Sequence, residues 1–316
     1  MISRSTLIGA LVVVELGIVG LATEAIAGGS ITRPPGLLAS PLGFAGGAAD
    51  FGPGPGAPGR LHRSFVAGLA PRVVIDVHDV DVVRQGDGGS AVRVDETLQR
   101  TGWVTGDVPP LTAQQALDVV RISSAGENGV HLVIGSFQHQ LRITVPAMAR
   151  VEFASAGRVD VSGLRTKLLA HIPDGAIQVR DHRGDVDVST GSGRITMVDV
   201  QGSDIAANTR DGRIYLTRVG ADRLNGSTSS GRIVGVDVRA VDGTLNTRDG
   251  RVVLSFTGNS DAIVSAHTGD GHVRVSGFPI TESDDQRSVV RLGSGRGRFE
   301  VSTADGPITI TPGAST

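Results

Sequence analysis

Four arginines recur at nearly equal intervals in the second half of the chain, and their chemistry is that of an anion-binding row. Each follows the glycine of a short repeat: Arg194, Arg213, Arg232 and Arg251. Guanidinium groups bind carboxylates and phosphates in a planar, bidentate geometry. Such a row could therefore grip an anionic polymer, for example an acidic surface glycan or a teichoic-type polyphosphate of a cell wall.

Acidic residues close to the arginine positions offer a second interpretation. Stacked like charges repel one another, and Asp211, Asp249 and Asp270 stand two residues ahead of the arginine column. Alternating ion pairs between repeats, each worth about 0.2 to 1 kcal/mol, are the simpler interpretation of the two columns.

Three aspartates that are close in sequence raise the question of catalysis. Glycan lyases and hydrolases on repetitive β scaffolds use two or three carboxylates on one face, and Asp185, Asp187 and Asp199 cluster in this chain. No long loops are available to wall a cleft around them. They are predicted to be solvated strand positions, and the protein is predicted not to be an enzyme.

A threonine column is the most regular polar feature of the repeats. It lies three residues before the glycine: Thr190, Thr209, Thr228, Thr247, Thr268 and Thr303. A flat threonine ladder can bind ice, but the position two residues earlier is not threonine. The hydroxyls are therefore predicted to bond to neighbouring repeats.

Metal and cofactor sites are not predicted. The chain has no cysteine, and the nonapeptide of calcium-binding β-rolls is absent. Its eight histidines lack the spacing of a metal site and are predicted to lie on the surface.

The elements that position these residues follow from the repeat itself. Glycine returns about every nineteen residues in phrases such as "NTRDGRIYLTRV" and "NTRDGRVVLSFT", which is the signature of stacked coils. The pattern predicts an all-β chain folded as a parallel β-solenoid. The repeat glycine is predicted at a tight corner with positive φ.

Hydrophobic columns predict the core, because alternate residues of a strand point to opposite sides. The second residue after the glycine is Val159, Ile177, Ile195, Ile214, Ile233, Val252, Val273 and Ile308. The fourth is Val161, Val179, Met197, Leu216, Gly235, Leu254, Val275 and Ile310. A further inward column, five residues before the glycine, includes Val188, Ala207, Gly226, Leu245, Ala266 and Val301. Each repeat is thus predicted to contribute two short strands.

The solenoid is predicted over residues 63–312, with regular coils at 151–276. Residues 63–150 are predicted as irregular coils and a cap, in which Val73, Ile75 and Val77 alternate with polar residues. Thr112 could begin a short helix through Val119, or residues 116–123 could form another strand. The polar insert "ITESDDQRS" within residues 277–312 is predicted to be a loop between late coils.

The N-terminus predicts export. Arg4 precedes an apolar run from Leu7 to Ala22, followed by a small-residue cleavage site. Residues 1–27 are therefore predicted to be a signal peptide, or an uncleaved anchor that would tether the chain to a membrane. Residues 28–62, rich in Pro and Gly, are predicted to be a linker. The expected location is extracellular or in the cell envelope.

Charge and composition narrow the partners. The formal net charge is −2, with Asp and Arg interspersed, so no basic field would recruit nucleic acid. Aromatic residues make up 3% of the chain, which suits a narrow interior of small and β-branched side chains.

The run "QLRITVPAMARVEFASAGRVDVSGL" and the Gly-Arg-Ile repeats that follow it resemble a bacterial β-helix family of putative adhesins, a domain of unknown function, over roughly Arg63 to Pro312. The resemblance implies surface exposure and adhesion, and it transfers no active-site residue. The expected function is a non-enzymatic surface scaffold or adhesion-type module that binds a cell-wall or surface glycan or an envelope protein. The alternatives are a carbohydrate-active enzyme on the same scaffold and an envelope regulatory protein that acts through protein partners.

Overall fold

A computed structural model of the chain describes residues 59–77, 82–85, 89–105, 111–124, 132–153 and 157–313, all within the unit Leu42–Thr316. These residues form 24 β-strands and no helix, which confirms the prediction of an all-β protein. None of them belongs to a helix that could cross a membrane. The predicted segment 1–27 and most of the predicted linker lie outside the described residues, although the first strand already begins at Gly59.

Two columns of hydrogen-bonded strands, mostly parallel, make up a large solenoid-like sheet. Strands are numbered along the chain. In spatial order, column A contains β5 (Leu111–Ala116), β6 (Val119–Ser124), β2 (Arg72–Asp76), β8 (Arg150–Phe153), β10 (Leu168–Ile172), β12 (Val186–Thr190), the second half of β13 (Ile195–Thr209), β15 (Gly220–Thr228), β17 (Asp242–Thr247), β23 (Gly297–Asp305), β19 (Ala262–Asp270), β22 (Arg287–Arg291) and β21 (Ile280–Ser283).

Column B is built in the same way from the other strand of each repeat. In spatial order it contains β1 (Gly59–Val66), β4 (Ala91–Thr105), β7 (Leu132–Val145), β3 (Val82–Gln85), β9 (Val159–Ser162), β11 (Ile177–Arg183), the first half of β13, β14 (Ile214–Thr217), β16 (Ile233–Val238), β18 (Val252–Phe256), β24 (Ile308–Pro312) and β20 (Val273–Val275).

Equivalent residues of successive repeats face one another across neighbouring strands. Ile195 pairs in register with Ile214, and Ile214 with Ile233. Both columns point alternate side chains into one core, as the edge-to-face contact of Phe256 in column B with Phe299 in column A shows (ring centroids 5.6 Å apart).

The predicted core columns are buried, with two exceptions. Val273 and Val275 are only partly buried, because β20 is the last strand of column B and pairs only with β24. Val73, Ile75 and Val77 of the predicted irregular region are also buried. The hydrophobic pattern therefore predicted which side chains face inward along most of the described chain.

The order of repeats along the chain is not their order in space. At one end, β23 and β24 lie between the strands of residues 242–256 and those of residues 262–275. At the other end, β2 and β3 lie between β6 and β7 on one side and β8 and β9 on the other. The coil of β2 and β3 comes first in sequence, but the later strands β6 and β7 lie outside it in the stack. In the same way, the coil of β23 and β24 comes last in sequence, but the earlier strands β19 and β20 lie outside it.

Antiparallel strands cover the outermost coils. β5 pairs with β6 and β4 with β7, while β22 pairs with β19 and β21 with β22. The segment around Thr112 to Val119, for which the sequence allowed either a short helix or a strand, belongs to the antiparallel strands β5 and β6. Most of the insert predicted as a loop forms β21 and the start of β22, which cover one edge of the stack.

The predicted positive φ of the repeat glycine is confirmed at Gly157 (104°), Gly175 (118°) and Gly306 (155°). It is wrong for the most regular repeats, where Gly193, Gly212, Gly231 and Gly250 have no positive φ. At Gly212 an added Cβ would overlap the carbonyl oxygen of Gly193 in the neighbouring repeat. Close approach of two backbones, rather than a left-handed turn, excludes a side chain there.

Candidate binding surface

The arginine row lies at the entry to four neighbouring strands of column B. Each arginine directly precedes β13, β14, β16 or β18. Their backbones are joined by ladder hydrogen bonds, in which the Ile195 amide donates to the Arg213 carbonyl (2.9 Å) and the Ile214 amide to the Arg232 carbonyl (3.0 Å). With neighbouring strands about 4.8 Å apart, the four residues span about 14 Å.

All four arginine side chains are exposed. The guanidinium carbon of Arg194 lies 5.6 Å from the centre of the Tyr215 ring, a cation–π contact that holds one end of the row against the strand surface. The structure thus places the four predicted site residues side by side on one surface.

The predicted ion pairs are not formed. Within the described chain, neither the four arginines nor Asp211, Asp249 and Asp270 take part in a salt bridge. Adjacent like charges at this spacing repel by up to about 1 kcal/mol per pair even in water. An anionic ligand would relieve that repulsion, and the arrangement is therefore suited to binding rather than to internal pairing.

Elsewhere, arginines do pair with carboxylates of adjacent repeats. Arg218 makes a bidentate contact with Asp199 (2.5 and 2.6 Å), and Arg223 lies 3.0 Å from Asp204. The hydrogen bond from Arg218 lowers the pKa of Asp199 below its usual value. The row differs from these pairs in having no carboxylate at the same register.

The threonine column is internal. Thr190, Thr209, Thr228, Thr247, Thr268 and Thr303 are buried. Each hydroxyl donates to the carbonyl of a repeat glycine in the adjoining coil, at 2.9 to 3.2 Å. The prediction of inter-repeat hydrogen bonds is confirmed, and this column offers no surface for ice.

The three candidate catalytic aspartates are not gathered into one site. Asp185 accepts a hydrogen bond from the Asp204 amide (3.1 Å), and Asp187 lies 3.3 Å from the His171 ring. Asp199 lies at a different corner, bound to Arg218. Each carboxylate already has a neighbouring partner, so no acid and base face one another here.

One histidine departs from the predicted surface position. His182 is fully buried and is in register with Val200. Neither ring nitrogen makes a hydrogen bond of normal geometry. Burial lowers its pKa to about 4, against the opposing effect of nearby backbone groups. Among the described residues, no three His, Asp or Glu side chains are placed to hold a metal ion.

A column of left-handed residues was missed by the sequence reasoning. Asp181, Asp199, Arg218 and Asp237 have φ between 50° and 57°, and each is the sixth residue after a repeat glycine. Aspartate tolerates this conformation better than most residues. The recurrence of aspartate at the sixth position after the repeat glycine could have predicted a corner between the strands of columns B and A.

Comparison with known proteins finds one matching family model and several solved structures of similar fold. Residues 72–311 match the model of the family described as Toastrack DUF4097. The crystal structure of a putative adhesin from Parabacteroides distasonis is similar at a TM-score of 0.51 and 13% identity, covering 79% of this chain and 96% of that one. A putative adhesin from Bacteroides fragilis has a TM-score of 0.48 at the same identity and coverage. A comparison with curated proteins gave no match.

Proposed function

The chain belongs to the Toastrack DUF4097 family, and on that premise we propose that it is an exported, non-enzymatic binding module of the adhesion type. In this proposal, parallel β-solenoid coils of about nineteen residues form a rigid scaffold that displays rows of identical side chains. The name of the similar solved structure from Parabacteroides distasonis, a putative adhesin, supports a location at the cell surface or in the envelope. The N-terminal segment would tether the protein to a membrane if it is not cleaved.

The exposed arginine row is the observation that carries the proposal. Four side chains of one sign, without a carboxylate partner among the described residues, lie on a regular surface of column B. A linear anionic polymer would meet them in sequence, with one phosphate or carboxylate for each guanidinium. The proposed partner is therefore an anionic cell-wall or surface polymer, and the arginine row is its contact.

Binding to purified teichoic acid tests the proposal. The variant carrying Arg194→Gln, Arg213→Gln, Arg232→Gln and Arg251→Gln removes four contacts worth about 0.5 to 1 kcal/mol each. The affinity of the full chain for the immobilised polymer should fall roughly 30- to 1000-fold. The length of the polymer should not change during incubation.

A matched control keeps the change in net charge the same. Replacing Arg121, Arg142, Arg150 and Arg165 by Gln removes four exposed arginines outside the row, and affinity should stay within a few-fold of the wild type. An equal loss in both variants would contradict the assignment of the row. Shortening of the polymer that Asp185→Asn or Asp187→Asn abolishes would overturn the non-enzymatic proposal in favour of the carbohydrate-active alternative.

A further inference from the structure

A groove crosses the outward surface of column A, away from the arginine row. It has a volume of about 960 Å³, within the range of ligand sites. Its floor is a row of polar side chains in register across four strands: Asn225 pairs with Thr244, Thr244 with Glu300, and Glu300 with Ser265. The insertion of β23 between β17 and β19 therefore builds this floor.

Positive charge flanks the polar floor on both sides. Arg223 and Arg298 lie along one side, while Arg287, in register with His267, lies along the other. The Arg223 guanidinium lies beside Asp204, but within the described chain those of Arg287 and Arg298 have no carboxylate partner. Glu300 is the one carboxylate lining the groove, with His267 3.9 Å away. Asp242 is in register with Arg223 and accepts a hydrogen bond from the Arg298 amide (2.8 Å), so Asp204 and Asp242 offset part of the charge on that side. The free positive charge of the groove is therefore that of the Arg287 and Arg298 guanidinium groups.

A second hollow extends the first. It has a volume of about 660 Å³, shares His267 with the groove and reaches Arg248. Hydroxyl and amide side chains, among them Ser227, Asn246 and Ser302, lie between the two ends. Cationic groups are therefore separated by a path of hydrogen-bonding groups. The paired run from Gly243 to Thr247 alone covers four residue steps, about 13 Å at the rise of a strand, which is longer than one sugar ring.

The floor distinguishes between possible anionic ligands. An extended peptide gains affinity by adding to a free strand edge, but β15, β17, β23 and β19 each have a strand on both sides. The floor offers amides and hydroxyls at the spacing of neighbouring strands, about 4.8 Å. Such groups match the ring hydroxyls of an extended sugar chain, and the arginines match its carboxylates.

From this arrangement we propose that the groove on column A is a binding site for a short acidic oligosaccharide of uronate type. Arg287 and Arg298 bind its carboxylates, and Asn225, Thr244 and Ser265 bind its hydroxyls. The site is separate from the arginine row of column B, and either can fail without the other.

Calorimetric titration of the full chain with a pentamer of galacturonate tests this site. We expect one bound oligomer per chain. The Arg287→Gln and Arg298→Gln variants should each weaken binding by at least about tenfold, because each loses a charge-assisted contact. Both side chains are exposed, so both variants should unfold at the same temperature as the wild type. The four-Gln variant of the arginine row should bind the pentamer like the wild type.

Two matched ligands complete the test. The methyl-esterified pentamer lacks the carboxylate charge and should bind at least about tenfold more weakly, and a pentaglutamate peptide should also bind more weakly than the pentamer. The proposal is overturned if the galacturonate pentamer does not bind, if neither arginine variant weakens it, or if pentaglutamate binds equally well. If only the four-Gln variant of the arginine row weakened binding of the pentamer, the binding site would lie on column B, and the proposal for the groove would likewise be overturned.

Discussion

Gly212→Ala should destabilise the protein by about 3 kcal/mol or more. The new Cβ would overlap the Gly193 carbonyl oxygen and crowd the Thr209 hydroxyl, which donates to that same carbonyl (3.2 Å). To make room, two coils must separate, and overpacking of this kind costs about 1 to 3 kcal/mol before the hydrogen bond is lost. Urea unfolding at constant temperature measures the change in unfolding free energy.

Gly258→Ala is the matched control. A Cβ at Gly258 would meet nothing within 4 Å, and the residue is exposed in a turn. Its unfolding free energy should change by no more than about 0.5 kcal/mol. If both substitutions cost the same, close backbone approach is not what makes glycine recur.

The second large effect concerns pH and the buried His182. In the unfolded chain its imidazole titrates near the ordinary pKa of 6.5, whereas burial lowers the folded value to about 4. As pH falls, the unfolded chain therefore takes up the proton first. The contribution of His182 to stability is complete above about pH 6.5 and is lost as pH falls towards 4, a total of about 3 kcal/mol.

His182→Val should remove this part of the pH dependence. Valine suits the site, because the residue in register on the next strand is Val200, and no unpaired ring nitrogens remain buried. The difference in unfolding free energy between variant and wild type, measured from pH 7 to pH 4, should grow by about 3 kcal/mol in favour of the variant. His272→Val changes an exposed histidine and should leave the pH profile unchanged. If the unfolding free energies of His182→Val and the wild type changed in parallel with pH, the buried His182 would not be the source of this pH dependence.

The hydrophobic pattern predicted the core because periodicity in a strand directly reports which side is buried. Ile195 and Met197 are buried, as their places in the repeat predict. The order of the terminal coils was not predictable in the same way. Each coil presents nearly the same inward residues, so the pattern allows residues 297–312 to stack on residues 242–256 as readily as residues 262–275 could.

The arginine row shows a second limit of sequence reasoning. Arg213 and Asp211 are close in sequence, but the aspartate lies in a bend, whereas the arginine follows that bend and directly precedes β14. Pairing depends on a shared register across strands, as with Arg223 and Asp204, and not on distance along the chain. The groove on column A was missed for a related reason, since Thr244 and Glu300 become neighbours only through the inserted coil.

The register of neighbouring strands decides which side chains share a surface, and cysteine cross-linking tests this most directly because the chain contains no cysteine. Val253 and Thr309 are paired in register, and Thr309 in turn pairs with Arg274. Neighbouring strands about 4.8 Å apart allow a disulfide, whereas a spacing of two strands does not. On a non-reducing gel, the Val253→Cys/Thr309→Cys variant should form an intramolecular disulfide under mild oxidation, and the Val253→Cys/Arg274→Cys variant should not. The reverse result would mean that the coils stack in chain order, and it would remove the basis of the groove.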